Sequence, residues 1–376
     1  MAKVVKIAYF AFSEEYGARH AGFVHSYNIA RALSKYLKVT VFFSSLDKLD
    51  LNNGGVMTVG ITLPSTKNLF RINPLKYFSS FFSILRGVKG SDLVHERFHV
   101  NPIDLLFVGN RPYFLEINDP AMVLYSGVKG ILYKYLIGLK LIKCRAIITQ
   151  TETLKKILSV YTNKPIFVDS NGVDTKKFRL KIKNDVRKDL GVKPSDVLVI
   201  FVGSFMKWHG VHDVVRLAEL FPKVKFLMVG GGPLFYEIKL KTKNLKNIFL
   251  VGPKSNDEIP KFLSAADIAL APFSTERFKE LDRYGFWWCP VKLFEYMAAG
   301  KPIVSYDYSE VRNILKDSGV LAKPGDFEDF AEKFAKILNS KQLRQKLSFK
   351  ARRLSMKYDW ENRGRELYKV YNNILK

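Results

Sequence analysis

Residues 290–304 read PVKLFEYMAAGKPIV, with Lys292 and Glu295 three apart at the start of a helical pattern and so on one face. A carboxylate so placed can accept both vicinal hydroxyls of a ribose. An ammonium beside a helix N-terminus can meet phosphate oxygens. Ala298, Ala299 and Gly300 permit close packing, and Gly300-Lys301-Pro302 ends the helix. An ordinary capped surface helix would carry the same letters. A second constellation, His95-Glu96-Arg97-Phe98-His99, spells the zinc motif H-E-x-x-H. Zinc needs both imidazoles on one helical face plus a third ligand. Here the motif directly follows a strand-like run at 92–95, and Pro102 interrupts any helix beyond it, so the match is read as coincidence. No Asp-x-Asp metal motif occurs in the chain.

Three glycine- or turn-rich segments follow strand-like runs. Gly17-Ala18-Arg19-His20-Ala21-Gly22 links the first strand to the first helix, and Gly230-Gly231-Gly232 follows a later one. Such glycines mark a tight turn or let backbone approach a ligand. Glu116-Ile117-Asn118-Asp119-Pro120 offers two polar side chains, or simply an Asn-Asp-Pro turn.

The elements that must position these residues alternate between apolar strands and amphipathic helices. Strands are expected at 4–10, 39–43, 92–95, 113–117 and 146–149, with helices at 23–36 and 128–142. After residue 180 the rhythm restarts, with strands at 197–202, 226–229, 248–251, 268–271 and 302–305 and helices at 211–220 and 291–299. This alternation predicts an α/β protein of two Rossmann-like doubly wound domains facing across a cleft, where such sheets bind ligands at the carboxyl ends of their strands. The expected boundaries are 1–172, 173–355 and a C-terminal helix at 356–376 that packs back towards the N-terminal domain. The polar, basic stretch at 170–190 with Asn171-Gly172 reads as the hinge.

Five segments in order resemble the family 4 retaining glycosyltransferases (glycosyl transferases group 1), which have the GT-B fold. Residues 290–304 look like the family's donor-binding signature, and Ser170-Asn171-Gly172-Val173-Asp174 resembles its PNGVD hinge. Phe201-Val202-Gly203 to His209-Gly210 resembles its G-R-(x)-K-G loop. Met228-Val229-Gly230-Gly231-Gly232-Pro233 is similar to its V-G-x-G-P turn, and Ala265-Ala266-Asp267 to Pro272 to its A-A-D-(strand)-P. The resemblance implies a metal-independent hexosyl transfer from a nucleotide-sugar to a hydroxyl of a glycan or lipid-linked acceptor, with no cofactor. Glu295 would bind the donor ribose. Ser204 stands where the family has Arg and His209 where it has Lys, so phosphate binding would fall to Lys207, Lys292 and backbone N–H groups, with His209 contributing. Donor-side candidates are Gly22, Gly203, Ser204, Lys207, His209, Gly210, Gly231, Pro272, Lys292, Leu293 and Glu295. Catalytic candidates are His20, Asn118 and Asp119. Asn118 stands where relatives often place a histidine, and Asp119 could orient the acceptor hydroxyl. Trp287 replaces the family's first Glu, for which Glu280 or Asp282 could substitute.

Composition bounds the remaining readings. The 376 residues are 47% hydrophobic and 26% charged, enough for two cores rather than a disordered chain. Sixty-one Lys plus Arg against 35 Asp plus Glu give +26, a field that favours nucleic acid, anionic lipid or phosphorylated substrates, or else a lysine-rich solvated surface. Two cysteines, Cys144 and Cys289, define no disulfide framework, and a cytoplasmic protein is expected. No apolar run reaches the ~18 residues of a membrane span. The segment 68–90 mixes Phe70, Phe78, Phe81 and Phe82 with Arg71, Lys76, Arg86 and Lys89. It reads either as a surface for the inner face of an anionic membrane or as a core helix with solvated cations. Rival functions are a nucleotide-sugar epimerase and a basic nucleic-acid-binding protein. The second lacks a recognisable binding module, so nucleic acid is not expected as a partner.

Overall fold

A computed structural model describes residues 5–18, 20–45, 50–53, 55–62, 74–100, 102–120, 124, 127–179, 186–276 and 283–375, without the side chains at 50, 51, 53, 74–77 and 129. Arg19, Asn68, Phe70, Arg71, Glu280 and Asp282 thus lie outside the described residues, as does the side chain of Lys76. The chain forms two compact units, Met1–Asn171 with Trp360–Lys376, and Gly172–Asp359.

In the first unit, eight strands form one sheet: β1 (Lys6–Glu15), β2 (Lys38–Ser44), β3 (Asp50–Asn53), β4 (Val56–Ile61), β5 (Leu93–Arg97), β6 (Tyr113–Glu116), β7 (Ala146–Thr149) and β8 (Ile166–Val168). Their order is β3-β4-β2-β1-β5-β6-β7-β8, all parallel except the β3–β4 hairpin at one edge. Burial on both faces explains the apolar run Ile7–Phe12 in β1. The helix α1 (Ala21–Leu33) packs against the C-terminal helix Trp360–Leu375, close enough that a Cβ on Gly364 would lie 2.6 Å from Ala32 Cβ. The connections β4→β5, β5→β6 and β6→β7 run the other way along the sheet from β1→β2. Right-handed crossovers therefore place α2 (Pro74–Val88), α3 (Leu105–Val108) and α4 (Gly127–Lys143) together on the face opposite α1.

The second unit is a six-stranded parallel sheet in the order β11-β10-β9-β12-β13-β14. Its strands are β9 (Leu198–Val202), β10 (Lys225–Val229), β11 (Ile248–Gly252), β12 (Ile268–Ala271), β13 (Ile303–Tyr306) and β14 (Gly319–Ala322). Every residue of β9, β12 and β13 is buried, between one core that includes Leu293 and Met297 and another that includes Phe226 and Phe334. The helix α5 (Val211–Leu220) follows the loop that leaves the carboxyl end of β9, and α6 (Val291–Ala298) lies between β12 and β13 in the chain. The doubly wound α/β architecture expected of both halves is the architecture observed.

Candidate active site

In the second unit, Lys292 sits on the first turn of α6 with its Nζ buried and without a hydrogen-bond partner. The ammonium stands 4.2 Å from the Phe201 ring centroid and 5.3 Å from that of Phe273, which gives it cation–π contact, while Glu295 attracts it without a hydrogen bond. Burial lowers its pKa from 10.5 to about 7. It lies over the end of β9. A Cβ at Gly203, whose φ is +146°, would approach Nζ to 2.6 Å, so only glycine leaves the space that the ammonium uses.

One turn further along, Glu295 is also buried, and that burial raises its carboxyl to about 7. Asn256 fixes its direction. The Asn256 amide donates to Glu295 Oε1 at 3.2 Å while its own oxygen accepts from Lys177 Nζ at 2.6 Å. Tyr296 anchors the helix beneath both charged groups. The Val202 N–H donates to its hydroxyl at 2.7 Å, and that hydroxyl donates to Leu270 O at 3.3 Å, tying α6 to β9 and β12.

The loop after β9 closes the same corner. Gly210 has φ +65°, and a Cβ there would fall 1.5 Å from the Pro272 carbonyl oxygen. These two residues, 62 apart in sequence, are therefore in direct backbone contact. Gly231 accepts at its carbonyl from the Phe205 N–H at 2.7 Å, which links the glycine turn after β10 to this loop. His209 Nδ1 lies 2.6 Å from the Ser204 carbonyl oxygen, which can only accept, so Nδ1 carries the proton. Burial and the Lys292 ammonium hold this imidazole below its ordinary pKa and neutral. Its donor is thus used within the loop, and its contribution to phosphate binding reduces to shaping Ser204–Gly210. Lys207 is exposed on the same turn. Leu293, expected among the donor-binding residues, belongs to the core instead. Its side chain is wholly buried in the core and its N–H donates to Pro290 O at 3.1 Å, because its helical angle turns it away from Lys292 and Glu295. Trp287 is buried and packs edge-on against Trp288.

Residues 182–354, all within the second unit, match the family described as Glycosyl transferases group 1. The second unit carries the domain of that family. An uncharacterized glycosyltransferase of Methanocaldococcus jannaschii is 25% identical over 328 residues, 84% of this chain and 85% of the relative. The N,N'-diacetylbacillosaminyl-diphospho-undecaprenol alpha-1,3-N-acetylgalactosaminyltransferase of Campylobacter jejuni is 25% identical over 228 residues, 58% of this chain and 57% of the relative. Among solved structures, HepE of Anabaena in complex with UDP and glucose superposes with a TM-score of 0.72 at 15% identity, covering 98% of this chain and 99% of that one. The likeness shows the GT-B fold. The family is one of transferases, which leaves the epimerase reading without support.

The first unit of this glycosyltransferase gathers its polar residues at the carboxyl ends of β1, β5 and β6. Glu116, buried at the end of β6, accepts from Tyr9 Oη at 3.0 Å and Arg97 Nη1 at 2.7 Å, and lies 3.1 Å from His25 Nε2 and 3.0 Å from His95 Nε2. Burial alone would raise its carboxyl, but His25 and Arg97 outweigh that and hold it well below the ordinary value. The predicted residues attach to this network. The Asn118 amide donates to Glu116, and His20 lies 3.3 Å from Glu14, which accepts from Arg97 Nε at 2.7 Å. Gly22 faces the Glu14 carboxylate, where a Cβ would come within 2.2 Å of Oε2. Asp119 is exposed beyond Asn118.

The H-E-x-x-H letters begin on β5 and run past its end, so His95 and Glu96 point to opposite faces of the sheet. His95 turns towards Glu116 and Tyr371. Glu96 turns towards Lys140 of α4, whose Nζ donates to Glu96 Oε1 at 2.5 Å, Asp104 Oδ2 at 2.7 Å and His99 O at 2.8 Å. Glu96, His99 and Asp104 have the grouping of a cation site, and the lysine ammonium is the cation on its two carboxylates.

Proposed function

We propose that this glycosyltransferase takes a sugar from a nucleotide-sugar donor with retention of anomeric configuration, without a metal, and passes it to a hydroxyl of a glycan or lipid-linked acceptor. The observation that carries the reading is the buried, unpartnered Lys292 ammonium one turn from the buried Glu295. A buried cation without a hydrogen-bond partner is costly, and an anionic ligand reaching it offsets that cost. Glu295, held by Asn256, would accept the ribose hydroxyls while Lys292 and the first turn of α6 meet the diphosphate. During transfer the bond from the anomeric carbon to the diphosphate oxygen breaks, and negative charge gathers on the diphosphate beside Lys292. The acceptor oxygen bonds to the anomeric carbon, and its proton leaves with the diphosphate. The reading is supported by the UDP and glucose seen with HepE and by the diphospho-undecaprenol in the Campylobacter relative's name.

Thermal-shift screening of UDP-, GDP- and ADP-sugars identifies the donor, since a ligand that binds the folded state raises Tm. Transfer to acceptor candidates is then followed by NMR before and after EDTA treatment. Retained configuration and EDTA-resistant turnover are expected. Inverted product, or activity restored only by added metal, would overturn the corresponding part of the reading.

A further inference from the structure

Ten of the nineteen large apolar side chains most exposed among the described residues stand on α2, α3 and α4. Phe78 is 65% exposed, Phe82 53%, Ile131 70% and Tyr135 64%, with Leu85 and Leu106 beside them. The three helices adjoin. α2 packs on α3, where Phe81 meets Phe107 at 5.1 Å, and α4 packs on the turn Pro102–Asp104 that opens α3. The exposed side chains therefore stand on adjoining helices of one sheet face, a concentration that is unusual for apolar area facing water.

Its charge is of one sign. Neither α2 nor α4 contains a carboxylate. On α2 the positions 78, 82, 85, 86 and 89 follow helical spacing, so Phe78, Phe82 and Leu85 share a stripe with Arg86 and with Lys89 just beyond the helix. Lys134 and Lys143 are exposed along α4. Where α2 ends, a cavity of about 550 Å³ is lined by Lys6, Lys38, Arg86 and Lys89, with no acidic residue among the described residues that line it. Lys6 and Lys38 begin β1 and β2, so this cavity lies at the opposite end of the sheet from His20 and Asn118.

We infer that the α2–α3–α4 face is a docking surface for an anionic lipid bilayer, its apolar side chains entering the interface and the cationic cavity taking lipid phosphates. A second copy of the chain would oppose like charges across the contact. A nucleic acid would leave Phe78, Phe82 and Ile131 without an apolar partner. An anionic bilayer satisfies both halves of the surface. The inference does not depend on the donor site, so it is tested by binding alone.

Flotation of the full chain with vesicles of phosphatidylcholine, and of phosphatidylcholine with phosphatidylglycerol, decides it. Wild type is expected to bind the mixed vesicles far more strongly than the neutral ones, with high salt reducing binding to the weak level seen on neutral vesicles. Removing three cations (Arg86→Ser, Lys89→Ser, Lys134→Ser) should lower partitioning by roughly a hundredfold, at about fivefold per cation. Phe82→Ser with Ile131→Ser should abolish that weak, salt-resistant level. Equal binding of wild type to both vesicle types, or none to either, overturns the inference and needs no variant to show it. A dimer that forms without lipid and is lost in the Phe82→Ser, Ile131→Ser variant would also overturn it by assigning the face to a second copy.

Discussion

Each unit buries a lysine, and the two environments are opposite. Lys140 is 0% exposed, yet two carboxylates and a carbonyl surround its ammonium. Lys292 is 8% exposed and has aromatic faces but no acceptor. A buried charge with a full set of partners is complete, and it holds α4 to the sheet. A buried charge without partners is held in place by the surrounding fold, at a cost that an arriving anion can offset. Burial alone would rank the two residues alike. The account of their partners makes one a structural strut and the other a binding group.

Replacing each lysine by methionine should therefore have opposite effects. Lys140→Met leaves Glu96 and Asp104 uncompensated and should lower stability by about 3–5 kcal/mol in denaturant unfolding. An unchanged midpoint there would break the comparison. Lys292→Met removes an unsatisfied ammonium and should raise stability, on the order of 1–3 kcal/mol. That gain should depend on pH. The unfolded lysine binds its proton below about 10.5, whereas the folded one does so only below about 7. Wild type therefore loses stability relative to Lys292→Met as pH falls from 10.5 to 7, and the gap is constant below that window. A gap that widens with rising pH would contradict the assigned protonation. The smallest effect is expected from Asn256→Ala, which loosens the Glu295 carboxylate and should weaken nucleoside and nucleoside diphosphate equally, by about 0.5–1.5 kcal/mol in calorimetry. A loss confined to the diphosphate would place Asn256 with the phosphates instead.

Much of this was legible in the sequence because the signals are local. Continuous apolar runs such as 198–202 and 268–271 read as buried parallel strands, and Lys292 and Glu295 read as neighbours because one helical turn separates them. The edge strand β3 was not legible, since Asp50, Asn52 and Asn53 give it little apolar signal, although its partner β4 carries the apolar run at 56–61. Nor was the network of Glu14, His25, Arg97 and Glu116. Those residues meet only because the sheet order sets β1 beside β5 and β5 beside β6, which spacing along the chain does not reveal. Asn256 was missed for the same reason, as it reaches Glu295 from a loop 39 residues away. Leu293 was misassigned because it lies inside the motif that resembles the family's, although its angle on the helix belongs to the core.

The most direct test of the account is a titration of wild type and Lys292→Met with a nucleoside diphosphate and with the matching nucleoside. The nucleotide is the one among UDP, GDP and ADP that gives the largest thermal shift. If the unpartnered ammonium is the diphosphate's counter-charge, the variant should lose about 1.5–3 kcal/mol of affinity for the diphosphate, roughly ten- to a hundredfold, and none for the nucleoside. An undiminished diphosphate affinity in the folded variant, or an equal loss for both ligands, would contradict it.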